Sequence, residues 1–185
     1  MLDILSQLTE QLGADTIVNN ANIPNEQNQT VIKETSNAIF SSLQAIANKG
    51  DLSQIAGLLQ GKELDKNDPT VKEITAQVTH SLTQKTGLSS TVASGAVTAI
   101  IPKLLNALIG KANDPKDNSI NISDIVNTLT GNGSAEHAGI MEAISTYGVH
   151  FGLDQNADGK VDLDDAIELT KKGGIAGMFG KLFGK

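Results

Sequence analysis

The stretch "VASGAVTAIIPKLLNALIG", residues 92–110, is the most apolar part of the chain and decides the fold class. Its large apolar residues recur every three or four positions, the spacing of one face of an α-helix: Val97, Ile101, Leu104 and Leu108. Pro102, Lys103 and Asn106 stand among them, and polar or charged groups at mid-span are costly in lipid. The stretch therefore predicts a helix buried in protein rather than a membrane span.

The same helical spacing extends through most of the chain, and no stretch shows sustained two-residue alternation. The other apolar stripes are Leu5, Leu8 and Leu12; Ile32, Ile39, Leu43 and Ile46; and Val71, Ile74, Val78 and Leu82. Asp68-Pro69 places a capping residue before a proline, and Ser134 after "GNG" can open a further helix. We predict an all-α fold, a compact multi-helix bundle of about eight or nine helices.

Composition agrees with packed helices and excludes several kinds of site. Aromatic residues make up 3% of the 185 residues, so the core must be built from aliphatic side chains. The net charge of −7 disfavours a nucleic-acid surface, and the lack of cysteine removes disulfides, thiolate metal sites and cysteine nucleophiles. The N-terminus has no basic segment before its apolar residues, so we expect a cytoplasmic protein.

Three short pieces of the first third resemble later pieces in the same order. "LTEQLG" (8–13) resembles "LTQKTG" (82–87), "QAIANK" (44–49) resembles "NALIGK" (106–111), and "DLSQIAGLLQG" (51–61) resembles "NISDIVNTLTG" (121–131). Either a helical unit is duplicated, or Leu/Ile-rich helices are alike by chance. We expect an N-terminal helical unit at 1–66, a second unit at 67–172 and a Gly-rich amphipathic tail at 173–185.

The segment "DQNADGKVDLDD", residues 154–165, has the oxygen spacing of a loop that wraps one hard cation. Such a loop takes side-chain oxygens from places one, three, five and twelve, a carbonyl from seven and often a water-mediated contact from nine, with glycine at six. The residues at those ligand places are Asp154, Asn156, Asp158, Lys160, Asp162 and Asp165. Lys160 would contribute only its backbone carbonyl, and Gly159 stands at place six. The pattern predicts a Ca²⁺ site.

This pattern resembles an EF-hand loop, and its closing aspartate is similar to the dockerin-type variant. Asp165 is one methylene shorter than the usual glutamate, and Gly152 interrupts the incoming helix. The alternative is an Asp/Asn/Gly turn in which Asp162 caps a helix, with further acids near its positive end. That alternative does not explain the alternation of Asp154, Asn156 and Asp158.

A weaker copy of the pattern lies at residues 113–124, because "DNSINISDI" (117–125) aligns with "DGKVDLDDA" (158–166) without gaps. Pro115 at place three supplies no side-chain oxygen, and Asn113 at place one carries no charge. We expect this degenerate loop to keep the shape and to pair with the first through Ile120 and Val161, because a lone loop leaves a strand edge unpaired. The alternative is a polar loop followed by a capped helix.

The chain also resembles the YidB-like group of small helical bacterial proteins. The resemblance lies in "QLG" (11–13) after a Leu-rich helix, "AIIPKLLNAL" (99–108) and the end "GMFGKLFGK" (177–185). It implies an all-α fold and no enzyme class.

No catalytic motif accompanies the metal loop. The three histidines, His80, His137 and His150, are far apart, and the chain has neither a phosphate loop nor a nucleophile elbow. We therefore expect a non-enzymatic calcium-binding protein in which the ion is structural or regulatory. The rival interpretation is a module that binds a membrane or a protein partner through the basic amphipathic tail at 173–185, although packing of that tail on the body is favoured.

Overall fold

The computed structural model describes residues 1–49, 52–59, 63–114, 116–117 and 119–130. These residues form α1 (Leu2–Leu12), α2 (Asn28–Asn48), α3 (Leu52–Leu59), α4 (Pro69–Thr86), α5 (Ser90–Thr98), α6 (Ile101–Asn113) and α7 (Ile122–Thr130). A π-helical turn at Ala14–Val18 and a 3-10 turn at Asn25–Gln27 join α1 to α2. No strand occurs in these ranges, which confirms the all-α class for them. The helix expected after Ser134 lies outside them.

Helix α2 is the centre of the bundle. It packs against α1, α3, α4 and α7, while α1 also packs on α6. The predicted stripes supply the buried face of each helix, and Ile39, Ile74, Val97 and Leu104 are fully buried. Leu12 departs from the prediction, since it is 37% exposed at the last turn of α1. The aliphatic core expected from the scarcity of aromatics is therefore present.

Helix α4 begins where its sequence signals predict, and a left-handed glycine ends it. The Asp68 carboxylate accepts hydrogen bonds from the Thr70 N–H at 2.8 Å and the Val71 N–H at 3.2 Å, and Pro69 stands in the first turn, where a missing N–H costs nothing. Gly87 follows the last turn with a φ of 73°, a left-handed conformation that favours glycine.

The apolar stretch 92–110 is two helices, so the expectation of one buried helix is corrected. Helix α5 ends at Thr98 and α6 begins at Ile101, with Pro102 in its first turn. Proline lacks an N–H, and its ring collides with the carbonyl four residues earlier, so a helix cannot run unbroken through this position without a kink. The break leaves both helices in the core, where Ile100 and Ile101 are buried.

One segment of the described structure, Ser90–Asn113, is long and apolar enough to cross a membrane by length and composition. Its mean hydropathy is 1.6, and half of it is buried inside the fold. It comprises α5 and α6. The core helices of a soluble protein pass the same test, and the cytoplasmic location stays a prediction.

A polar clamp joins α6 to the connector between α3 and α4. The Asn106 side-chain oxygen accepts a hydrogen bond from the Leu64 N–H at 2.9 Å, and its amide nitrogen donates to the Leu64 carbonyl at 2.8 Å. Leu64 is itself buried in the core. The polar residue that interrupts the apolar stretch thus satisfies both backbone groups of a residue that no helix includes.

The turn after α1 is tight at Gly13. A β-carbon there would collide with the Thr9 carbonyl oxygen and would lie 3.1 Å from the Ile17 Cδ1 and 3.2 Å from the Ile100 Cδ1. The glycine of "QLG" therefore has a packing reason, since it lets the chain pass from α1 into the π-helical turn directly beside the start of α6.

The similar sequence pieces occupy similar places in the helix order. Residues 8–13 and 82–87 end α1 and α4, and residues 51–61 and 121–131 contain α3 and α7. When α1 is matched with α4, α2 with α6 and α3 with α7, the packing also corresponds: α1 lies on α6 as α4 lies on α2. Ile55 and Ile125, which the pieces align, are both buried. The helices of 1–66 and of 67–130 share one core.

Candidate functional site

The predicted calcium ligands lie outside the described residues. This applies to all six positions: Asp154, Asn156, Asp158, Lys160, Asp162 and Asp165. It also applies to the partner strand residue Val161, to His137 and His150, and to the tail at 173–185. The Ca²⁺ site and its pairing with the upstream loop therefore stay predictions.

The upstream loop, residues 113–124, is described apart from positions 115 and 118. Asp117, at place five, is held by neighbours: its carboxylate accepts from the Lys111 ammonium at 2.7 Å and from the Ser119 N–H at 2.9 Å. The hydrogen bond from Lys111, followed by those from Ser119, keeps the pKa of the Asp117 carboxyl far below its usual range. The amide of Asn113, at place one, donates to the Ile109 carbonyl at 3.1 Å.

Places nine and twelve of this loop form the cap of α7. The Asn121 side-chain oxygen accepts from the Asp124 N–H at 2.9 Å, and the Asp124 carboxylate accepts from the Asn121 N–H at 3.1 Å. This reciprocal pair satisfies two N–H groups that a helix start leaves without intrahelical partners. The described residues thus match the alternative interpretation of a polar loop followed by a capped helix.

The carboxylates in the described part of 113–124 are engaged by neighbouring residues. Among the residues that the structure describes, no group of three His, Asp or Glu side chains converges. Ile120, at place eight, is buried as predicted, with 3% of its surface exposed. The loop therefore anchors itself to the core through Ile120 and uses its polar side chains locally.

A cleft of about 610 Å³ lies between α4 and α5, and we name it the hydroxyl cleft. The two helices form a hairpin through Gly87, and each contributes a stripe of hydroxyl residues at every fourth position. The lining residues are Lys66, Lys72, Thr75, Ala76, Thr79, His80, Thr83, Ser90, Ser94 and Thr98. The distance of His80 from the other histidines in sequence gave no indication of this cleft. Its signal was the spacing i, i+4, i+8 on both helices.

A second cleft, of about 600 Å³, lies between α1 and α2. It carries both signs of charge, since Asp3, Lys33 and Glu34 line it. Glu34 is engaged by Lys85 of α4 at 2.8 Å. Among the described lining residues, the hydroxyl cleft therefore has only basic ionisable side chains, whereas the second cleft has both acidic and basic ones.

No protein family model matches the chain, and no curated protein or solved structure is significantly similar to it. The resemblances to EF-hand loops and to the YidB-like group therefore remain predictions from the sequence.

Proposed function

We propose that this chain is a non-enzymatic calcium-binding helical protein whose ion site is residues 154–165. The observation that carries the proposal is the spacing of Asp154, Asn156, Asp158 and Asp165 around Gly159. Hard cations such as Ca²⁺ require six to eight oxygens, and this loop supplies most of them from one short segment. The segment holds five aspartates against one lysine, so without an ion its carboxylates would repel one another.

The cap of α7 supports a helix leaving the proposed loop. Asn121 aligns with Asp162, and Asp124 aligns with Asp165. In the upstream copy, the helix begins directly after Asn121, and Asp124 returns a hydrogen bond to it. On this alignment, we expect Asp162 to cap the outgoing helix while Asp165 closes the ion site.

The ion is proposed to act on the C-terminal third of the chain, which contains residues 154–165. The helices described up to Thr130 bury their apolar faces against one another in a single cluster. Ca²⁺ would act on the segment after α7, either as a structural staple or as a regulated switch.

Titration calorimetry with two matched variants tests the site. Asp158→Asn removes a ligand charge at place five, whereas Asp164→Asn removes the same charge from place eleven, which supplies no ligand. We expect Ca²⁺ to give a binding isotherm with wild type and with Asp164→Asn. The dissociation constant should be on the order of micromolar or weaker, because the closing aspartate is one methylene shorter than glutamate. Asp158→Asn should bind at least about tenfold more weakly. Equal isotherms for the two variants would show that residues 154–165 are not the site.

A thermal melt with Ca²⁺ or EDTA then distinguishes the roles of the ion. A ligand that binds only the folded state adds about 2.7 kcal/mol at a concentration one hundred times its dissociation constant. A structural ion should raise the midpoint of the main transition. An ion that stabilises only the segment after Thr130, as expected of a local switch, should leave that midpoint unchanged and slow amide exchange in that segment alone.

A further inference from the structure

The hydroxyl cleft is positive in an acidic protein. Among the residues that the structure describes, its ionisable lining residues are Lys66, Lys72 and His80 and its lining includes no carboxylate, although the chain carries a net charge of −7. A cleft whose lining charges all have the same sign, within low-dielectric protein walls, attracts ligands of the opposite charge.

Three acids close in sequence to these lysines, Asp65, Asp68 and Glu73, keep their charge but are held by other partners. The Asp65 carboxylate accepts from the Asn67 N–H, and the Asp68 carboxylate caps α4. Glu73 forms an ion pair with Lys49 of α2 at 2.9 Å. Within the described part of the chain, neither Lys66 nor Lys72 forms an ion pair, so both ammonium groups are available to an anionic ligand.

The remaining lining residues present hydroxyl oxygens to the cleft. Three of them donate to carbonyls of their own helices, with distances of 2.7, 2.9 and 2.8 Å for Thr75, Thr83 and Thr98. Their oxygens keep lone pairs that can accept a further hydrogen bond. The side-chain hydroxyls of Thr79 and Ser90 have no hydrogen-bond partner among the described residues, so their O–H groups can donate.

We propose that the hydroxyl cleft binds a phosphorylated polyol, with the phosphate at Lys66 and Lys72 and the polyol hydroxyls along the threonine and serine stripes. Its volume of about 610 Å³ is within the range of small-molecule sites. Ammonium groups are common phosphate partners, and neighbouring side-chain hydroxyls can both donate to and accept from the hydroxyls of a sugar. This proposal is independent of calcium binding.

The test is a titration of the isotopically labelled full chain with glucose 6-phosphate, followed by amide NMR shifts at constant ionic strength. We expect saturable shifts at Thr79 and Ser94. A Lys66→Gln/Lys72→Gln double variant should weaken binding by roughly tenfold or more. A Lys33→Gln/Lys103→Gln double variant removes the same charge elsewhere on the surface and should stay within about twofold of wild type.

Three results would overturn the proposal. Shifts that do not saturate, or that spread over the whole surface, would show general attraction of anions. Equal weakening in the two double variants would show that net charge, not the cleft, drives binding. Inorganic phosphate that binds as tightly as glucose 6-phosphate would remove the polyol part, and glucose that binds as tightly would remove the phosphate part.

Discussion

The clamp between Asn106 and Leu64 should contribute measurably to stability, and Asn106→Ala tests it. The substitution removes two hydrogen bonds, of 2.9 and 2.8 Å, and leaves the N–H and carbonyl of Leu64, a residue 6% exposed, without partners. A typical hydrogen bond contributes about 0.5–1.5 kcal/mol, and an unsatisfied buried group costs about 1–3 kcal/mol. Alanine recovers up to about 0.7 kcal/mol through its higher helix propensity. We therefore expect a net loss of about 2 kcal/mol.

For a chain of this size, that loss should lower the melting midpoint by roughly 4–8 °C, measured by circular dichroism at 222 nm. Gln84→Ala is the control, because it truncates an exposed amide on α4 that forms no hydrogen bond within the described residues. If Asn106→Ala melts within about 1 °C of that control, the clamp carries no net stability and the reasoning is refuted.

Asn106→Asp adds a pH signature to the same test. A carboxylate keeps an acceptor for the Leu64 N–H but repels the Leu64 carbonyl, whereas a protonated carboxyl can donate to that carbonyl. The fold therefore favours the protonated form and raises the pKa of the introduced acid above its unfolded value of about 3.9. The stability of the variant relative to wild type should be best below that value and should fall as the pH rises through the folded pKa. A deficit that does not change with pH would show that the donor is unimportant.

Three further predictions concern buried polar groups, the tight turn and the tail. Thr35 is fully buried and its hydroxyl has no partner among the described residues, so Thr35→Val should raise the free energy of unfolding by about 1 kcal/mol. Thr9→Val removes hydrogen bonds to the Leu5 carbonyl and the Ser36 hydroxyl, so it should lower the free energy of unfolding by about as much, both measured by urea unfolding. Gly13→Ala should lower the free energy of unfolding by about 1–3 kcal/mol, because the new β-carbon would collide with the Thr9 carbonyl. Gly95→Ala places its β-carbon in open space on α5 and should raise the free energy of unfolding by about 0.5–1 kcal/mol, so equal effects of the two variants would contradict the packing argument. Removing residues 173–185 should lower the melting midpoint if the tail packs on the body, and an unchanged midpoint together with liposome binding by the full chain alone would favour the rival membrane role.

The sequence predicted those helix boundaries that are set by interactions within a single turn. Asp68-Pro69 marks the start of α4, because a cap and a fixed φ each act within one turn. The break at Pro102 has an equally local signal, but the apolar stripe continues across it and predicts a single helix. Periodicity alone cannot distinguish one long helix from two consecutive helices that bury the same face.

The features that sequence reasoning missed depend on contacts between distant residues. Asn106 and Leu64 are far apart in the chain, and nothing near Asn106 indicates that its partner is a backbone outside any helix. The hydroxyl cleft needs α5 to fold back along α4, so that stripes on two helices line one space. For the upstream loop, the aligned spacing predicted a degenerate copy that keeps the shape, but it did not indicate that Lys111 and Ser119 hold the carboxylate of Asp117. Spacing shows which oxygens are available, not which neighbours compete for them.

The crossed packing of the two halves has a consequence for their independence. Because α1 lies on α6 and α4 lies on α2, each half covers the apolar face that the other would leave in water. A chain of residues 1–66 alone should therefore aggregate or pair with a copy of itself, and it should regain a native-like fold when mixed with the remainder. If one such helical unit formed a homodimer with the same crossed packing, fusing two copies of its gene would give a single chain with the packing of α1 on α6 and of α4 on α2.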